Sequence, residues 1–151
     1  MTTCGGAPSL RCAMPQDLVK LLELYTHLFD QPIPAEPPEA LWAEILGDPN
    51  YYIVVAEQDG LLVSTCVLLI VPNLTHRQMP YALVENVVTH ADYRKQGLGS
   101  AVLDYAKDIA VQRGCYKIML MTGTKLASTL RFYERAGYNR QDKTGFIQWL
   151  E

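Results

Sequence analysis

The sequence carries little charge, and its charges of opposite sign nearly balance. Charged residues make up 19% of the 151 residues, and 13 Lys and Arg against 16 Asp and Glu give a formal net charge of −3. A surface that binds nucleic acid needs a strongly basic field, so this balance argues against a general nucleic-acid binder. We therefore expect no nucleic-acid partner.

Long hydrophobic runs are also missing. The apolar run from Leu61 to Val71 is among the longest, and it is well short of the roughly 20 residues that a membrane-spanning helix needs. A charged stretch followed by an apolar run, the pattern of a signal peptide, does not stand at the start of the sequence. We therefore expect a cytoplasmic protein without a membrane partner.

Cysteine and histidine are few and scattered. No two cysteines form a C-x-x-C pair, and the histidines do not complete a metal-ligand spacing with them. We therefore expect reduced thiols and no metal. These residues are Cys4, Cys12, Cys66, Cys115, His27, His76 and His90.

Hydrophobic residues make up 49% of the chain, which is enough to form the core of one globular domain. We expect a single domain over residues 1–151, with residues 1–8 as a loose tail. Strand-rich sequence precedes Gly97 and strand–helix alternation follows it, which predicts an α/β fold with a mixed sheet flanked by helices. The predicted strands are 10–14, 51–57, 61–71, 81–89, 117–122 and 146–150, and the predicted helices are 15–29, 39–46, 97–113 and 125–136.

The segment 84–101 is the most informative part of the sequence. An apolar strand with one acid, Glu85, leads to Arg94 and Lys95 and then to a Gly-x-Gly turn that opens an amphipathic helix. Glycine lets the backbone approach a ligand, and the first N–H groups of a helix have no intrahelical partner, so they bind anions. This pattern predicts a phosphorylated ligand held by Arg94, Lys95 and the backbone of a five-residue segment, which consists of Gln96, Gly97, Leu98, Gly99 and Ser100.

Two nucleotide-binding motifs are excluded by spacing. The P-loop requires Gly-Lys-Ser/Thr, which the sequence does not contain. The dinucleotide fingerprint requires a third glycine where Val102 stands. What is left is Arg-x-x-Gly-x-Gly between a strand and a helix.

That motif resembles the cofactor-binding motif of the GNAT superfamily of acetyl-CoA-dependent N-acetyltransferases, with Arg94, Gly97 and Gly99 at its fixed positions. The run 130–138, Leu-Arg-Phe-Tyr-Glu-Arg-Ala-Gly-Tyr, is similar to the family's Phe-Tyr-x-x-x-Gly-Phe/Tyr signature. The resemblance implies a GNAT fold, whose central twisted mixed sheet has two parallel strands that splay apart to bind the cofactor. It also implies acetyl-CoA as the co-substrate, a small-molecule amine acceptor and a possible homodimer.

The resemblance further implies residue roles. Glu85 is the candidate general base, or it binds the acceptor's ammonium, and in an apolar strand burial would raise its pKa. Tyr133 is the candidate acid that protonates the leaving thiolate. The backbone around Val87 and Val88 is expected to bind the cofactor arm and the thioester carbonyl, while their side chains pack in the core. Direct attack in a ternary complex is expected, with Cys66 or Cys115 as an acyl carrier being the alternative.

The acceptor is less well specified. The layout is similar to glucosamine-6-phosphate N-acetyltransferases, except that Asn86 replaces their second acid, and to aminoalkylphosphonate N-acetyltransferases near 48–50. Leu126 and Thr129 stand where many members have Asn and Ala, so a cofactor contact is expected to be absent or supplied by Thr124 or Ser128. Candidate acceptor residues are His27, Phe29, Trp42 and, with less support, Thr75, His76 and Arg77. A peptide acetyltransferase, a non-catalytic acetyl-CoA-binding module and an ATP or NAD binder are the alternative functions.

Overall fold

The computed structural model describes residues 6–151. Five strands form one sheet in the order β1-β2-β3-β4-β5, in which the first four strands are antiparallel and β4 pairs with β5 in parallel. The strands are β1 Ser9–Cys12, β2 Tyr51–Gln58, β3 Leu61–Val71, β4 Tyr81–Thr89 and β5 Ile118–Leu120, and the α-helices are α1 Leu18–Tyr25, α2 Glu39–Gly47, α3 Leu98–Gln112 and α4 Ala127–Arg135. The predicted mixed sheet flanked by helices is confirmed.

Helices cover both faces of the sheet because successive strand residues point to opposite faces. On one face, Val54 and Ala56 pack with the apolar stripe of α3, which includes Val102 and Ala106. On the other face, alternate strand residues such as Val55 pack with residues of α1 and α2. The central strands are therefore buried on both sides, and they place the ends of β4 and α3 rigidly beside each other.

The two outer strands of the sheet are protected to different degrees. On β1, the guanidinium of Arg11 donates to Asp17 at 2.6 Å and to Glu57 at 2.8 Å. The buried carboxylate of Asp17 also accepts a hydrogen bond from the backbone of Met14, so that a polar network covers this edge. On β5, the three strand residues are apolar and half-buried. The outer edge of the sheet at β5 therefore has no charged strand residue.

A bulge interrupts β4 at Asn86. Thr65 pairs with Val88 and Val67 pairs with Glu85, so the single residue Cys66 on β3 lies opposite two residues on β4. Asn86 has a φ of +52°, which asparagine tolerates better than most residues. The parallel pairing of β4 with β5 ends at Val84, so β4 is unpaired on that side just where the bulge begins. The pair of parallel strands that the resemblance implied is present, and its pairing stops just before the bulge.

Several of the predicted helices and strands are shorter in the structure. The predicted helix 15–29 begins with a 3₁₀ turn and α1 ends at Tyr25, where the hydroxyl of Thr26 donates to the carbonyl of Glu23 at 2.7 Å. Strand 117–122 is reduced to the three residues of β5, although the carbonyl of Lys117 before it still accepts a hydrogen bond from the N–H of Ala82. The predicted tail 1–8 falls mostly outside the described residues, as does Cys4.

The predicted strand 146–150 is wrong for this structure. No strand or helix is present between Ala136 and Glu151, and between Asn139 and Glu151 no hydrogen bond joins two backbone groups of the described residues. The alternating apolar pattern is there, but a strand also needs a partner. Within residues 6–151, no helix is long and apolar enough to cross a membrane.

Candidate active site

The glycine loop that the sequence predicts to bind phosphate connects the end of β4 to α3. Lys95 and Gly97 both have positive φ, +60° and +80°, and they turn the chain into the helix. No side chain caps α3, and its first backbone bond runs from the N–H of Ala101 to Gly97. The N–H groups of the first turn are therefore free to bind an anion.

Two cations stand at the same end of α3. The Nε of Arg94 donates to the carbonyl of Thr89 at 3.2 Å, which fixes its guanidinium at the end of β4. Arg94 and Lys95 are both exposed, and neither pairs with a carboxylate of the described residues. Unpaired cations beside free helix N–H groups form a strong site for phosphate.

The two glycines of the motif are needed for different reasons. A side chain at Gly97 would meet open space, so its requirement is the positive φ. A Cβ on Gly99 would lie 3.0 Å from the ring of Phe132 and 3.5 Å from the hydroxyl of Thr89. Gly99 therefore lets α4 pack closely against the start of α3, which brings the neighbouring Tyr133 toward the loop.

Glu85, Asn86, Val87 and Val88 all lie at the bulge of β4. Val88 is buried on the α1 side of the sheet and Val87 packs on the α3 side, so both side chains belong to the core as expected. Glu85 is exposed, and the expectation that it would be buried in an apolar strand is wrong. The physical reason is the alternation of β4, which places Glu85, ahead of the bulge, on the same incompletely covered face as the half-buried Leu83 and opposite to the buried Val84.

Tyr133 lies on α4 and is half-buried. Burial raises the pKa of its phenol, and the negative charge of Glu85 contributes to the same shift. Its ring packs edge-on against Phe132 and Tyr138, and its hydroxyl has no hydrogen-bond partner among residues 6–151. Burial likewise raises the pKa of Tyr51, again with help from Glu85. Glu85 therefore lies close enough to influence both phenols at the open end of the sheet.

A groove of about 230 Å³ lies beside the bulge, between the end of α1 and the proline-rich loop that follows it. Asn86 forms part of its wall, together with Tyr25 and Phe29. None of the described side chains that line it carries a formal charge. The remaining lining residues are Leu22, Thr26, Leu28, Gln31, Pro32, Ile33 and Pro34.

Of the predicted acceptor residues, only Phe29 is in this groove. The indole of Trp42 is buried and donates to the carbonyl of Pro15 at 2.9 Å, so it is a core residue. The ring of His27 lies 4.1 Å from that of His90, in a separate, smaller cleft. Tyr25 and Tyr51 were not singled out from the sequence, because a tyrosine in a helical stripe or at a strand start gives no distinguishing signal.

Three other sequence features have structural roles. His76 stacks on Tyr116 in the β3–β4 connection, at the opposite end of β4 from the glycine loop. Asn50 accepts a hydrogen bond of 2.6 Å from Arg113, so the 48–50 stretch ties β2 to the end of α3. The hydroxyl of Thr124 accepts from the backbone N–H of Leu126, before α4.

The cysteines are poorly placed for acyl transfer. Cys66 is fully buried, its thiol lies 3.5 Å from the carbonyl of Val102, and burial raises its pKa to about 12. Burial also raises the pKa values of Cys12 and Cys115. A nucleophilic cysteine requires an accessible thiolate, which these environments disfavour. Within residues 6–151, no three His, Cys, Asp or Glu residues are clustered as they would be around a metal ion.

A sheet whose parallel pairing stops at a bulge, beside a helix whose free N-terminus follows two cations, is an arrangement suited to holding a phosphorylated cofactor. The Acetyltransferase (GNAT) family model matches residues 18–138, and the chain belongs to that family. The protein is therefore an acetyltransferase, and acetyl-CoA is the co-substrate that this family generally uses.

Relatives and solved structures agree with this assignment. A glucosamine 6-phosphate N-acetyltransferase of Trypanosoma brucei brucei is 29% identical over 136 residues, which cover 89% of this chain and 90% of the relative. A solved structure from Agrobacterium tumefaciens str. C58, described as an acetyltransferase by inference, is 43% identical in sequence. Its TM-score is 0.88, and the match covers 93% of this chain and 99% of that chain. A glucosamine-6-phosphate N-acetyltransferase of Arabidopsis thaliana shares the fold, with 22% identity and a TM-score of 0.84 over 97% of this chain and 100% of that one.

Proposed function

We propose that this enzyme transfers the acetyl group of acetyl-CoA to the primary amine of a small molecule by direct attack in a ternary complex. The observation that supports the proposal is that the negative charge of Glu85, next to the bulge of β4, contributes to the raised pKa of Tyr133 on α4, so a carboxylate and a protonated phenol act on each other there. An acid–base pair between two binding regions is what transfer between two bound substrates requires.

The cofactor end of the site fits a pyrophosphate and an extended thioester arm. The free N–H groups of the segment Gln96–Ser100, with Arg94 and Lys95, would hold the pyrophosphate. The unpaired side of β4 from Asn86 to Val88 would offer backbone donors to the arm and to the thioester carbonyl. Fixed backbone donors that stabilise a developing oxyanion make a large contribution to acyl-transfer catalysis.

Glu85 is the group that receives the amine. As an exposed carboxylate at the bulge it can hold the ammonium and accept its proton, directly or through a water molecule. The nitrogen lone pair then attacks the thioester carbon, the carbon–sulfur bond breaks, and the nitrogen, which becomes cationic on attack, loses a second proton that restores the phenol of Tyr133. The departing thiolate takes the phenolic proton of Tyr133, whose raised pKa keeps it protonated through neutral pH.

The groove narrows the class of acceptor. A bound phosphate requires Arg, Lys or several N–H donors, and the described groove lining has no cationic side chain. Asn86 also stands at the position where glucosamine-6-phosphate N-acetyltransferases have a second acidic residue. We therefore expect an acceptor whose body is uncharged and partly apolar, with its amine directed toward Glu85.

Thiol release from acetyl-CoA across a panel of amines tests this function. The panel pairs glucosamine with its 6-phosphate, and includes aminoalkylphosphonates, polyamines, amino acids and short peptides. We expect turnover of a small primary amine, with no gain from the phosphate. A clear preference for glucosamine 6-phosphate would contradict the expected acceptor class, and turnover of peptides alone would contradict a small-molecule acceptor.

A further inference from the structure

Two histidines from distant parts of the chain lie against each other beside the glycine loop. The ring centroids of His27 and His90 are 4.1 Å apart, and both side chains are half-buried. His27 follows the end of α1, whereas His90 follows the end of β4 and precedes Arg94 and Gly97. The pair therefore connects the helix end that lines the groove with the segment that leads into the glycine loop.

Each histidine accepts a hydrogen bond from the short turn 91–93, which lies directly before the glycine loop. The backbone N–H of Ala91 donates to the Nδ1 atom of His27 at 3.3 Å. The backbone N–H of Asp92 donates to the Nδ1 atom of His90 at 3.1 Å. The second bond is local, whereas the first joins residues that are 64 positions apart and so ties the turn to the end of α1.

The pKa of His27 suits this contact, because a histidine nitrogen accepts a hydrogen bond only while it carries no proton. Partial burial lowers the pKa of His27, and the adjacent His90 and Arg94 lower it further, while Asp92 acts in the opposite direction. The ring is therefore neutral at neutral pH, with its proton on Nε2 and with Nδ1 free to accept from the turn.

The neighbours of His27 in sequence belong to the groove. Two residues on each side of His27 line the groove, and these are Tyr25, Thr26, Leu28 and Phe29. The N–H groups of Leu28 and Phe29 donate to the carbonyl of Tyr25 at 3.0 and 3.2 Å, which holds the five residues in one turn. His27 itself lines the separate, smaller cleft on the side of the glycine loop. One turn of chain therefore serves the groove with four residues and the glycine loop with the fifth.

We propose that His27 is a positioning residue that couples the wall of the groove to the glycine loop. A cofactor on the loop would restrict the motion of the turn 91–93, and the bond from Ala91 to His27 would pass that restriction to the groove wall. Such coupling is reciprocal, so an amine in the groove would strengthen the binding of acetyl-CoA by the same factor. The inference rests on the proposed function, in which acetyl-CoA binds at the glycine loop.

Hydrogen exchange of the full chain, measured by mass spectrometry with and without saturating acetyl-CoA, tests the coupling without an amine. In the wild type we expect acetyl-CoA to slow exchange at residues 94–100 and to slow it about fivefold at residues 26–33, the factor that one protein hydrogen bond provides. His27→Phe keeps a ring against His90 but has no acceptor. We therefore expect acetyl-CoA to slow exchange at 94–100 alone in this variant, and also in His27→Leu, which has neither acceptor nor ring.

His27→Asn is the conservative variant. Its side-chain oxygen is attached to Cγ, as Nδ1 is, so it can accept from the N–H of Ala91. We expect it to restore the slower exchange at 26–33, which a side chain that only fills space would not do. His76→Phe replaces another stacked histidine, at the opposite end of β4, and this control should behave as the wild type does.

The outcomes distinguish the role of His27 from the proposed function. Slower exchange at 94–100 but not at 26–33 in the wild type would overturn the coupling and leave the cofactor site in place. The wild-type effect at 26–33 in His27→Phe or His27→Leu would do the same. If acetyl-CoA changed exchange at neither segment of the wild type, both the coupling and the cofactor site would be wrong.

Discussion

The cofactor end and the acceptor end of this site are built in different ways. The cofactor end is one continuous piece of chain, from the last residues of β4 through Arg94 and Gly97 to the first turn of α3, and it is cationic. The acceptor end is assembled from α1, the proline-rich loop and the bulge of β4, and its described groove lining is uncharged. Local sequence defines the first end, whereas packing of distant segments creates the second.

This difference explains why the class of reaction is easier to infer from the sequence than the identity of the acceptor substrate. A pyrophosphate-binding loop needs a fixed backbone path, and a path requires particular residues at particular spacings. A groove needs only a shape and a polarity, which many sequences can provide. Substitutions at the two ends should therefore have separable effects on the two substrates.

Replacing Gly97 should disable the cofactor end alone. Gly97→Asp puts a carboxylate at the helix N-terminus and a side chain at a φ of +80°. Like-charge contact with a pyrophosphate costs several kcal/mol, so we expect acetyl-CoA to bind about 100-fold more weakly or worse in calorimetry.

Gly114 provides the matched control for that change. It has a φ of +76°, it also faces open space, and it lies at the other end of α3. Gly114→Asp should therefore bind acetyl-CoA as the wild type does. If the Gly97 and Gly114 variants bound acetyl-CoA with equal affinity, the glycine loop would not be the binding site of the pyrophosphate.

Replacing Tyr133 should affect the chemistry rather than either binding end. Tyr133→Phe removes the proposed proton donor, and general acids contribute about 100-fold or more to rate. We expect kcat to fall by about that factor, with little change in KM for either substrate. Because the pKa of Tyr133 is raised, wild-type turnover should decline only well above neutral pH, as the phenol ionises.

Tyr138→Phe is the control for Tyr133. The ring of Tyr138 lies 6.2 Å from that of Tyr133, and burial raises its pKa to about 12. A phenol in a similar environment that plays no chemical part should be replaceable without loss of kcat. Full turnover in Tyr133→Phe would rule out its role as the acid.

Replacing Glu85 should impair the acceptor end and leave the cofactor end intact. For Glu85→Gln we expect kcat/KM for the amine to fall by about 10- to 100-fold, with acetyl-CoA affinity unchanged, and Asp108→Asn on α3 should behave as the wild type. Loss of the acidic limb of the pH–rate profile would identify Glu85 as the base, whereas a raised amine KM with that limb retained would identify it as the ammonium binder. An unchanged rate at every pH would exclude both roles.

Replacing Phe29 should give the smallest effect. Its side chain is 60% exposed on the groove wall, so Phe29→Ala removes only part of an apolar contact. We expect the amine KM to rise about three- to tenfold with kcat preserved, in line with partial loss of buried apolar area. Leu41→Ala, which alters a 54% exposed residue of α2, is the control and should leave KM unchanged. If both variants gave the same KM, the groove would not be the acceptor site.

The sequence predicts the local structure around the glycine loop well because the information there is local. Strand, cations, glycines and helix follow one another, and the predicted strand 81–89 matches β4. The exposure of Glu85 depends on how far the helices cover that face of β4, and the bulge at Asn86 arises from a register shift against β3, so neither was predictable in the same way. The positive φ of Asn86 is compatible with its residue type, but asparagine in a strand does not by itself indicate a bulge.

The C-terminal segment shows the opposite limit of sequence reasoning. Alternation in 146–150 predicts a strand correctly as a propensity, but pairing depends on an available edge, and a linear pattern does not show which edge that is. Likewise, Trp42 and His27 have residue types suited to an acceptor site, and only the packing of α1 and α2 places them elsewhere.

Initial-rate kinetics, with the concentrations of acetyl-CoA and of the amine both varied, tests whether the two substrates occupy the two ends of the site at once. With the best amine of the panel, double-reciprocal plots of thiol release against acetyl-CoA should give lines that intersect, because transfer requires a ternary complex. Parallel lines, together with an acetylated cysteine detected by mass spectrometry in the absence of amine, would show that acetyl passes through the enzyme and would contradict the account.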